Sequence, residues 1–207
     1  MIDLTLLALF IPTFFLVSIT PGMCMTLAMT LGMSIGVRNT LWMMYGELLG
    51  VGTVAILSVV GVSALMLKMP LLFDVLKLFG AAYLMTVGIN MWRSKGKLAV
   101  SSDNFKSQSF GKTQLFKQGL VTAITNPKGW AFMVSLLPPF INTNYALPLQ
   151  LAALVLVILC SEFICMMLYA AGGRTIGTVL TKRHNVKLIN KVSGVLMMLV
   201  AIWLALS

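Results

Sequence analysis

Six apolar stretches, each long enough to cross a lipid bilayer as an α-helix, make up most of this 207-residue chain. A spanning helix needs about 20 mainly apolar residues. Hydrophobic residues are 59% of the chain and charged residues only 10%, whereas soluble domains carry about 25% charged residues. A soluble fold of this length could not bury so much apolar surface. The sequence therefore predicts a single all-α membrane domain with spans at approximately 4–31, 39–67, 71–92, 115–140, 146–172 and 188–206.

Lysine and arginine residues are concentrated on one side of the predicted spans. The opposite side carries only Lys68 and Lys77 in its connections, and Lys128 lies within the fourth stretch. Because basic residues mark the cytoplasmic side, both chain termini are predicted to face the periplasm. This orientation signal explains the net charge of +10 better than nucleic-acid binding does. The basic residues of the predicted cytoplasmic side are Arg38, Arg93, Lys95, Lys97, Lys106, Lys112, Lys117, Arg174, Lys182, Arg183, Lys187 and Lys191.

The two halves of the chain repeat similar features in the same order. The paired motifs are Thr20-Pro21-Gly22 with Asn126-Pro127-Lys128-Gly129, Glu47 with Glu162, and Lys77-x-x-Gly80 with Lys191-x-x-Gly194. Because three is an odd number of spans, the first half ends on the other side of the membrane, and the second half inserts in the opposite orientation. We therefore expect six transmembrane helices as two inverted three-helix repeats, about 1–92 and 115–207, joined by a cytoplasmic linker at about 93–114. Transporters often follow this plan and bind their cargo near the bilayer midplane.

Pro21 and Pro127 predict a break inside the first and fourth stretches, because proline removes a backbone donor and disfavours a continuous helix. A half-helix that starts after each break would point its positive N-terminus at the midplane. The free N–H groups of such an N-terminus can bind a carboxylate. The predicted substrate site therefore includes both prolines and their neighbours Thr20, Gly22 and Asn126. An ordinary proline kink between packed helices is the alternative.

Glu47 and Glu162 lie deep in the second and fifth stretches, where a carboxylate is costly and usually functional. A carboxyl group that takes up and releases a proton could couple export to a proton gradient, and it could also bind a cargo ammonium group. A static structural role is the alternative. Lys128 directly follows Pro127. It could bind a cargo carboxylate, pair with a glutamate, or extend to the membrane surface.

Soft metal ligands keep one alternative function open. Met25, Met29 and Met33 share one helical face near Cys24, and thioether and thiol groups bind Cu(I). A metal-ion exporter is therefore an alternative, although apolar packing by the methionines and by all three cysteines is favoured. A non-transporting membrane scaffold is the second alternative. Neither an enzyme nor a cofactor site is predicted, since no nucleophile–base pair, P-loop or metal-ligand motif is present.

Taken together, these motifs resemble the LysE/RhtB family of bacterial amino-acid exporters along nearly the whole chain. The matching stretches are Ser18-Ile19-Thr20-Pro21-Gly22, Lys77-Leu78-Phe79-Gly80-Ala81-Ala82-Tyr83-Leu84 and Thr125-Asn126-Pro127-Lys128. The resemblance implies a six-helix inner-membrane exporter of amino acids or similar small metabolites, driven by proton antiport and, by analogy, a homodimer. Two positions depart from the family pattern. Met23 stands where a proline is common, and Glu47 stands where relatives often carry a neutral polar residue.

Overall fold

The structure is a computed structural model that describes residues 3–93, 111–137, 140–142, 145–173 and 183–206. Within these ranges the regular structure is helical and no strand is present, which confirms the all-α prediction. In chain order, the helices of the described residues are α1 (Leu4–Ser18), α2 (Met23–Ile35), α3 (Val37–Lys68), α4 (Pro70–Arg93), α5 (Lys112–Ile124), α6 (Pro127–Leu136), α7 (Leu147–Ala171) and α8 (Arg183–Leu206).

Two segments of the described helices are long and apolar enough to cross a membrane by themselves. They are Val37–Gly61 in α3 and Leu147–Ala171 in α7, each 25 residues long. Helices α1 and α2 pass the same test together but are bent by 60° where they meet, which is the geometry of a broken span or of a re-entrant loop. The arrangement of six spans in two repeats stays a prediction, and the predicted linker falls largely on residues 94–110, outside the described residues.

Both predicted proline breaks are confirmed. Helix α1 ends at Ser18 and α2 begins at Met23, while α5 ends at Ile124 and α6 begins at Pro127. Proline suits the first position of α6, because the N–H group that it lacks would have no partner inside the helix there. Pro21 therefore lies in the segment between the halves of the first predicted span, and Pro127 opens the second half of the fourth.

The helices pack around three apolar clusters. The first cluster lies between α2, α3 and α7, the second between α1, α3, α6 and α7, and the third between α4, α6 and α8. Met25 and Met29 belong to the first cluster and are 3% and 5% exposed. This packing favours the role of apolar filler for both methionines over that of soft metal ligand.

Helices α3 and α5 are in direct backbone contact. A Cβ atom at Gly46 would lie 1.9 Å from the carbonyl oxygen of Phe116, and one at Gly119 would lie 2.0 Å from that of Met43. Only glycine leaves room for this approach. Gly36, which joins α2 to α3, has a φ of +80°, a conformation that glycine adopts without strain. These contacts hold α3, and Glu47 with it, against the segment that leads to the second break.

A cluster of polar side chains (Asp3, Asn142 and Gln150) closes the end of the bundle where α1 begins. Asp3 caps α1 by accepting hydrogen bonds from the backbone N–H groups of Thr5 and Leu6 at 3.1 and 3.2 Å. Its second oxygen accepts a 2.9 Å bond from Nδ2 of Asn142. Gln150 in turn bonds the backbone of Asn142 at 2.8 and 2.9 Å. This Asp3 cluster therefore ties the start of α1 to the α6–α7 connection and to α7.

An aromatic layer (Phe10, Phe14 and Phe140) lies next to the Asp3 cluster. The ring centroid of Phe10 lies 5.5 Å from that of Phe14 and 5.0 Å from that of Phe140. The three side chains are 0%, 2% and 5% exposed. Phe140 lines a small pocket beside Asp3, and Phe14 lines the cavity at the helix breaks that is described below. The layer therefore separates that cavity from the Asp3 end of the bundle.

Candidate functional site

A cavity lies where the two helix breaks meet α3 and α7. The volume that water molecules can occupy in it is about 50 Å³, enough for a few waters, and the cavity is partly open to the surroundings. Pro21 and Pro127 are not among the lining residues; Pro21 lies between α1 and α2, and Pro127 is the first residue of α6. Six of the eight predicted site residues do line it: Thr20, Gly22, Glu47, Asn126, Lys128 and Glu162.

Glu47 is the most enclosed charged residue of the cavity. Its side chain is 1% exposed, and neither carboxyl oxygen has a hydrogen-bond partner among the described residues. Along α3 it lies between Met43 of the first apolar cluster and Val51 of the second. A carboxylate that is buried without a partner is strongly unfavourable as an anion. Glu47 is therefore poised to take up a proton or a cation.

Glu162 has a more polar setting than Glu47. It is half-buried, and its Oε1 accepts a 2.9 Å hydrogen bond from the hydroxyl group of Ser18 in the last turn of α1. On α7 it lies between Ile158 of the second apolar cluster and Cys165 of the first. The two glutamates also interact electrostatically with each other. Both acids thus occupy the boundary between the two apolar clusters.

The ammonium group of Lys128 reaches from α6 across to the α1–α2 break. It donates hydrogen bonds to Oγ1 of Thr20 and, at 3.5 Å, to the carbonyl oxygen of Val17. A Cβ atom built on Gly22 would lie 3.7 Å from this Nζ atom. The charge attracts Glu162 through space, and no direct ion pair joins these two described residues. The ammonium group of Lys128 thus lies in the cavity wall, bonded to the α1–α2 break.

The two helix N-termini at the breaks are not equivalent. In α6 the side chain of Asn126 accepts a 3.1 Å hydrogen bond from the backbone N–H of Lys128, so this end is already capped. In α2 the capping position is Gly22, which offers no side-chain hydrogen bond. The first turn of α2 therefore keeps free N–H groups beside the cavity, as uncapped helix N-termini do.

Cys24 belongs to the cavity wall, although the sequence favoured a packing role for it. Its side chain is 5% exposed, lies close to Glu47, and accepts a long 3.8 Å contact at Sγ from Nδ2 of Asn126. Its position just after the Pro21 break was the available signal. The apolar lining gave no such signal, because leucine, valine and phenylalanine are everywhere in a membrane sequence. That lining includes Phe14, Val51, Val54, Ala123 and Met133.

Comparison with known proteins places this chain in a family of translocators. The profile of the LysE type translocator family matches residues 15–207. The chain is 30% identical to a homoserine/homoserine lactone efflux protein of Salmonella typhimurium over 190 residues, 92% of this chain and 91% of that protein. It is 28% identical to an uncharacterized membrane protein of Vibrio cholerae, with 87% of each chain covered. A leucine efflux protein of an Enterobacter species is 27% identical, with 88% and 86% covered. No solved structure gives a significant match.

Proposed function

The chain belongs to the family of LysE-type translocators, and from that premise we propose that it is a secondary transporter that exports an amino acid or a similar small metabolite across the inner membrane in exchange for protons. The observation that carries this proposal is the meeting of Glu47, Glu162 and Lys128 in one cavity at the two helix breaks. The efflux proteins among its relatives support the direction of transport.

The polar end of the cavity suits the head group of an amino acid. Lys128 and the uncapped N-terminus of α2 lie side by side and together supply positive charge and N–H donors for a carboxylate. Glu162 supplies the opposite charge for the ammonium group, and Ser18 holds its carboxylate in place. Because Lys128 makes no direct ion pair with Glu162, a cargo zwitterion can lie between the two charges.

Glu47 is the better candidate for the proton carrier. Its burial and its lack of a hydrogen-bond partner make the neutral form favourable while the cavity is closed and empty of cargo. Opening the cavity to water would hydrate the carboxyl group and allow the proton to leave. In the proposed cycle the protein therefore exports cargo with Glu47 unprotonated and returns with Glu47 protonated.

The crossing of α4 and α8 supports an arrangement of two inverted halves. A Cβ atom at Gly88 would lie 2.8 Å from the carbonyl oxygen of Gly194, and one at Gly194 would lie 2.6 Å from that of Gly88. Equivalent positions of two repeats would meet in this way at a two-fold axis. Gly88 and Gly194 are also the same number of residues apart in the sequence as Pro21 and Pro127. Alternating access would then rock one half against the other around the cavity.

The proposed topology places both termini in the periplasm, which puts the Asp3 cluster on the outer side. The distribution of lysine and arginine supports it. A reporter enzyme that is active only in the periplasm, fused after Ser207, should be active. The same enzyme fused within the 94–110 segment should be inactive, and the reverse result would invert the topology.

Export from living cells is the first test of the function. Cells that express the protein and cells with an empty vector are loaded with dipeptides, whose hydrolysis raises each cytoplasmic amino acid. Faster appearance of one or a few amino acids in the medium, abolished by an uncoupler, is expected. Equal export from both kinds of cell for every amino acid would contradict the proposal.

Purified protein in liposomes separates the roles of the two acids. Exchange of labelled for unlabelled cargo needs no net proton movement, whereas accumulation against a gradient needs an imposed pH difference. Glu47→Gln imitates the protonated state, which carries no cargo in the proposed cycle, so its exchange should be low at every pH. Glu162→Gln should also lower exchange, but the residual exchange should still decrease as pH falls, because Glu47 can still take up a proton. Lys117→Gln, on the exposed face of α5, is the matched control for charge removal. Full pH-driven accumulation by both glutamine variants would show that neither glutamate couples cargo export to proton uptake.

The two alternatives from the sequence are not favoured. A metal-ion exporter would use Met25, which lines the cavity but is packed in the first apolar cluster and only 3% exposed. Met25→Leu should therefore leave amino-acid export intact and confer no change in metal resistance. A scaffold protein would show no flux in liposomes, so the exchange experiment also decides that case.

A further inference from the structure

We infer that the cargo is an α-amino acid with an uncharged, largely apolar side chain, held with that side chain against Phe14, Val51, Val54 and Met133. The inference rests on the proposed function, because it assigns the chemical class of the cargo that the same cavity exports. It also gives the cargo an orientation, with the head group at the helix breaks and the side chain toward the aromatic layer.

The lining of the cavity is divided into a polar end and an apolar end. Phe14, Val51, Val54 and Met133 all line the cavity, and all belong to the second apolar cluster. The charged lining residues lie outside that cluster, at the helix breaks and on the adjoining turns of α3 and α7. Along α3, Val51 and Val54 follow Glu47 by about one and two helical turns, or roughly 6 and 10 Å. The apolar end therefore begins one turn beyond the charged end.

The charges in the cavity leave none for a cargo side chain. Lys128 and Glu162 match the two charges of an amino-acid head group, and Glu47 is assigned to the proton. A lysine or glutamate cargo would place a third charge among Phe14, Val51, Val54 and Met133, where no lining side chain can pair with it. An unpaired buried charge is strongly unfavourable, so the cavity excludes such cargo.

Two close analogues test the apolar end directly. Norvaline and homoserine have side chains of equal length, and they differ only in a terminal methyl group against a hydroxyl group. A hydroxyl group that is buried without a partner lowers affinity by at least about fivefold. Each added methylene group that the cavity buries raises affinity by about fourfold. We therefore expect apparent affinity to rise from alanine to norvaline and to fall from norvaline to homoserine.

The experiment measures exchange in liposomes that contain the purified full chain. Liposomes are loaded with one unlabelled amino acid and given a trace of the same labelled compound outside, for alanine, norvaline, leucine, homoserine, lysine and glutamate in turn. Norvaline and leucine should exchange best, with lysine and glutamate at least about 100-fold weaker. Exchange of lysine, glutamate or homoserine in preference to norvaline would overturn the inference and leave amino-acid export standing. No exchange of any amino acid would overturn the proposed function, and the inference with it.

Variants of Val54 locate the apolar end. Val54→Leu fills the cavity and should lower leucine exchange several-fold more than alanine exchange. Val54→Asp supplies a partner for a cationic side chain and should raise lysine exchange relative to leucine. Leu57→Ala, on the same helix and 55% exposed, is the control and should keep the wild-type order of preference. An unchanged ratio of leucine to alanine exchange in Val54→Leu would overturn the inference even if Val54→Asp fails to fold.

Discussion

The hydroxyl group of Ser18, in the last turn of α1, donates a 2.9 Å hydrogen bond to Oε1 of Glu162 in the middle of α7. Farther along α7, the hydroxyl group of Tyr169 donates a 2.9 Å bond to the carbonyl oxygen of Ile19. Both bonds join α7 to the end of α1 at the first helix break. The position of the Glu162 carboxylate is therefore tied to the geometry of that break.

Removing the Ser18 hydroxyl group should weaken transport without unfolding the protein. Hydrogen bonds to charged groups contribute about 1.5–3 kcal/mol, so Ser18→Ala should raise the apparent KM for cargo exchange by about tenfold or more. Thr13→Ala is the matched control, because that hydroxyl group bonds only the carbonyl oxygen of Leu9 in its own helix. Equal KM values for Ser18→Ala and Thr13→Ala would show that the Ser18 hydroxyl group does not contribute to cargo binding.

The cap of α6 should contribute measurably to thermal stability. Asn126→Ala removes the side-chain acceptor for the backbone N–H of Lys128, and the loss of such a cap costs about 1 kcal/mol. The expected fall in Tm is about 2–4 °C, measured on purified protein in detergent. Asn126→Ser keeps a capping oxygen and should stay close to wild type. A Tm for Asn126→Ala equal to that of wild type would show that the cap does not support the break.

A methyl group at the contact between α3 and α5 should be poorly tolerated. Gly46→Ala places a Cβ atom 1.9 Å from a backbone oxygen, which cannot move aside without separating the helices. Overpacking of this kind costs about 1–3 kcal/mol or more. Gly61→Ala in the same helix meets no atom within 4 Å and should be neutral. Size-exclusion profiles and Tm values of the two variants test the contact, and equal stability would refute it.

Acid should weaken the Asp3 cluster. The hydrogen bond from Asn142 lowers the pKa of Asp3 below its ordinary value of 3.8. A lowered pKa in the folded protein means that the ionised carboxylate stabilises the fold above about pH 4, and that this stabilisation disappears as pH falls through the lowered pKa. Wild type should therefore be more stable than Asp3→Asn at pH 7, and the difference should shrink below pH 4. A Tm difference that stays constant between pH 7 and pH 3 would contradict this role.

Local chemistry explains which features of the site the sequence could predict. Pro21 and Pro127 predicted the helix breaks, because the effect of proline on a helix is set within one turn. Glu47 and Glu162 stood out because a carboxylate in an apolar run is rare and costly. The roles of these residues stay predictions.

Other features depend on contacts between distant parts of the chain, and no local pattern encodes them. Asn142 lies in a short polar connection that gave no sign of its hydrogen bond to Asp3. Val51 and Val54 resemble the many apolar residues that face lipid, so their place in the cavity wall needed the structure. Within the chain, the repeated motif pairs Gly194 with Gly80. The structure instead brings Gly194 into contact with Gly88, which lies two helical turns after Gly80 in α4.

The aromatic layer of Phe10, Phe14 and Phe140 has a consequence for the electrical resistance of the membrane. Three tightly packed rings with almost no exposure to solvent offer neither a wire of water molecules nor a polar group along which an ion could hop. A resting cell that contains many copies of the protein should therefore keep its membrane voltage. Current should flow only as discrete charges that accompany each turnover.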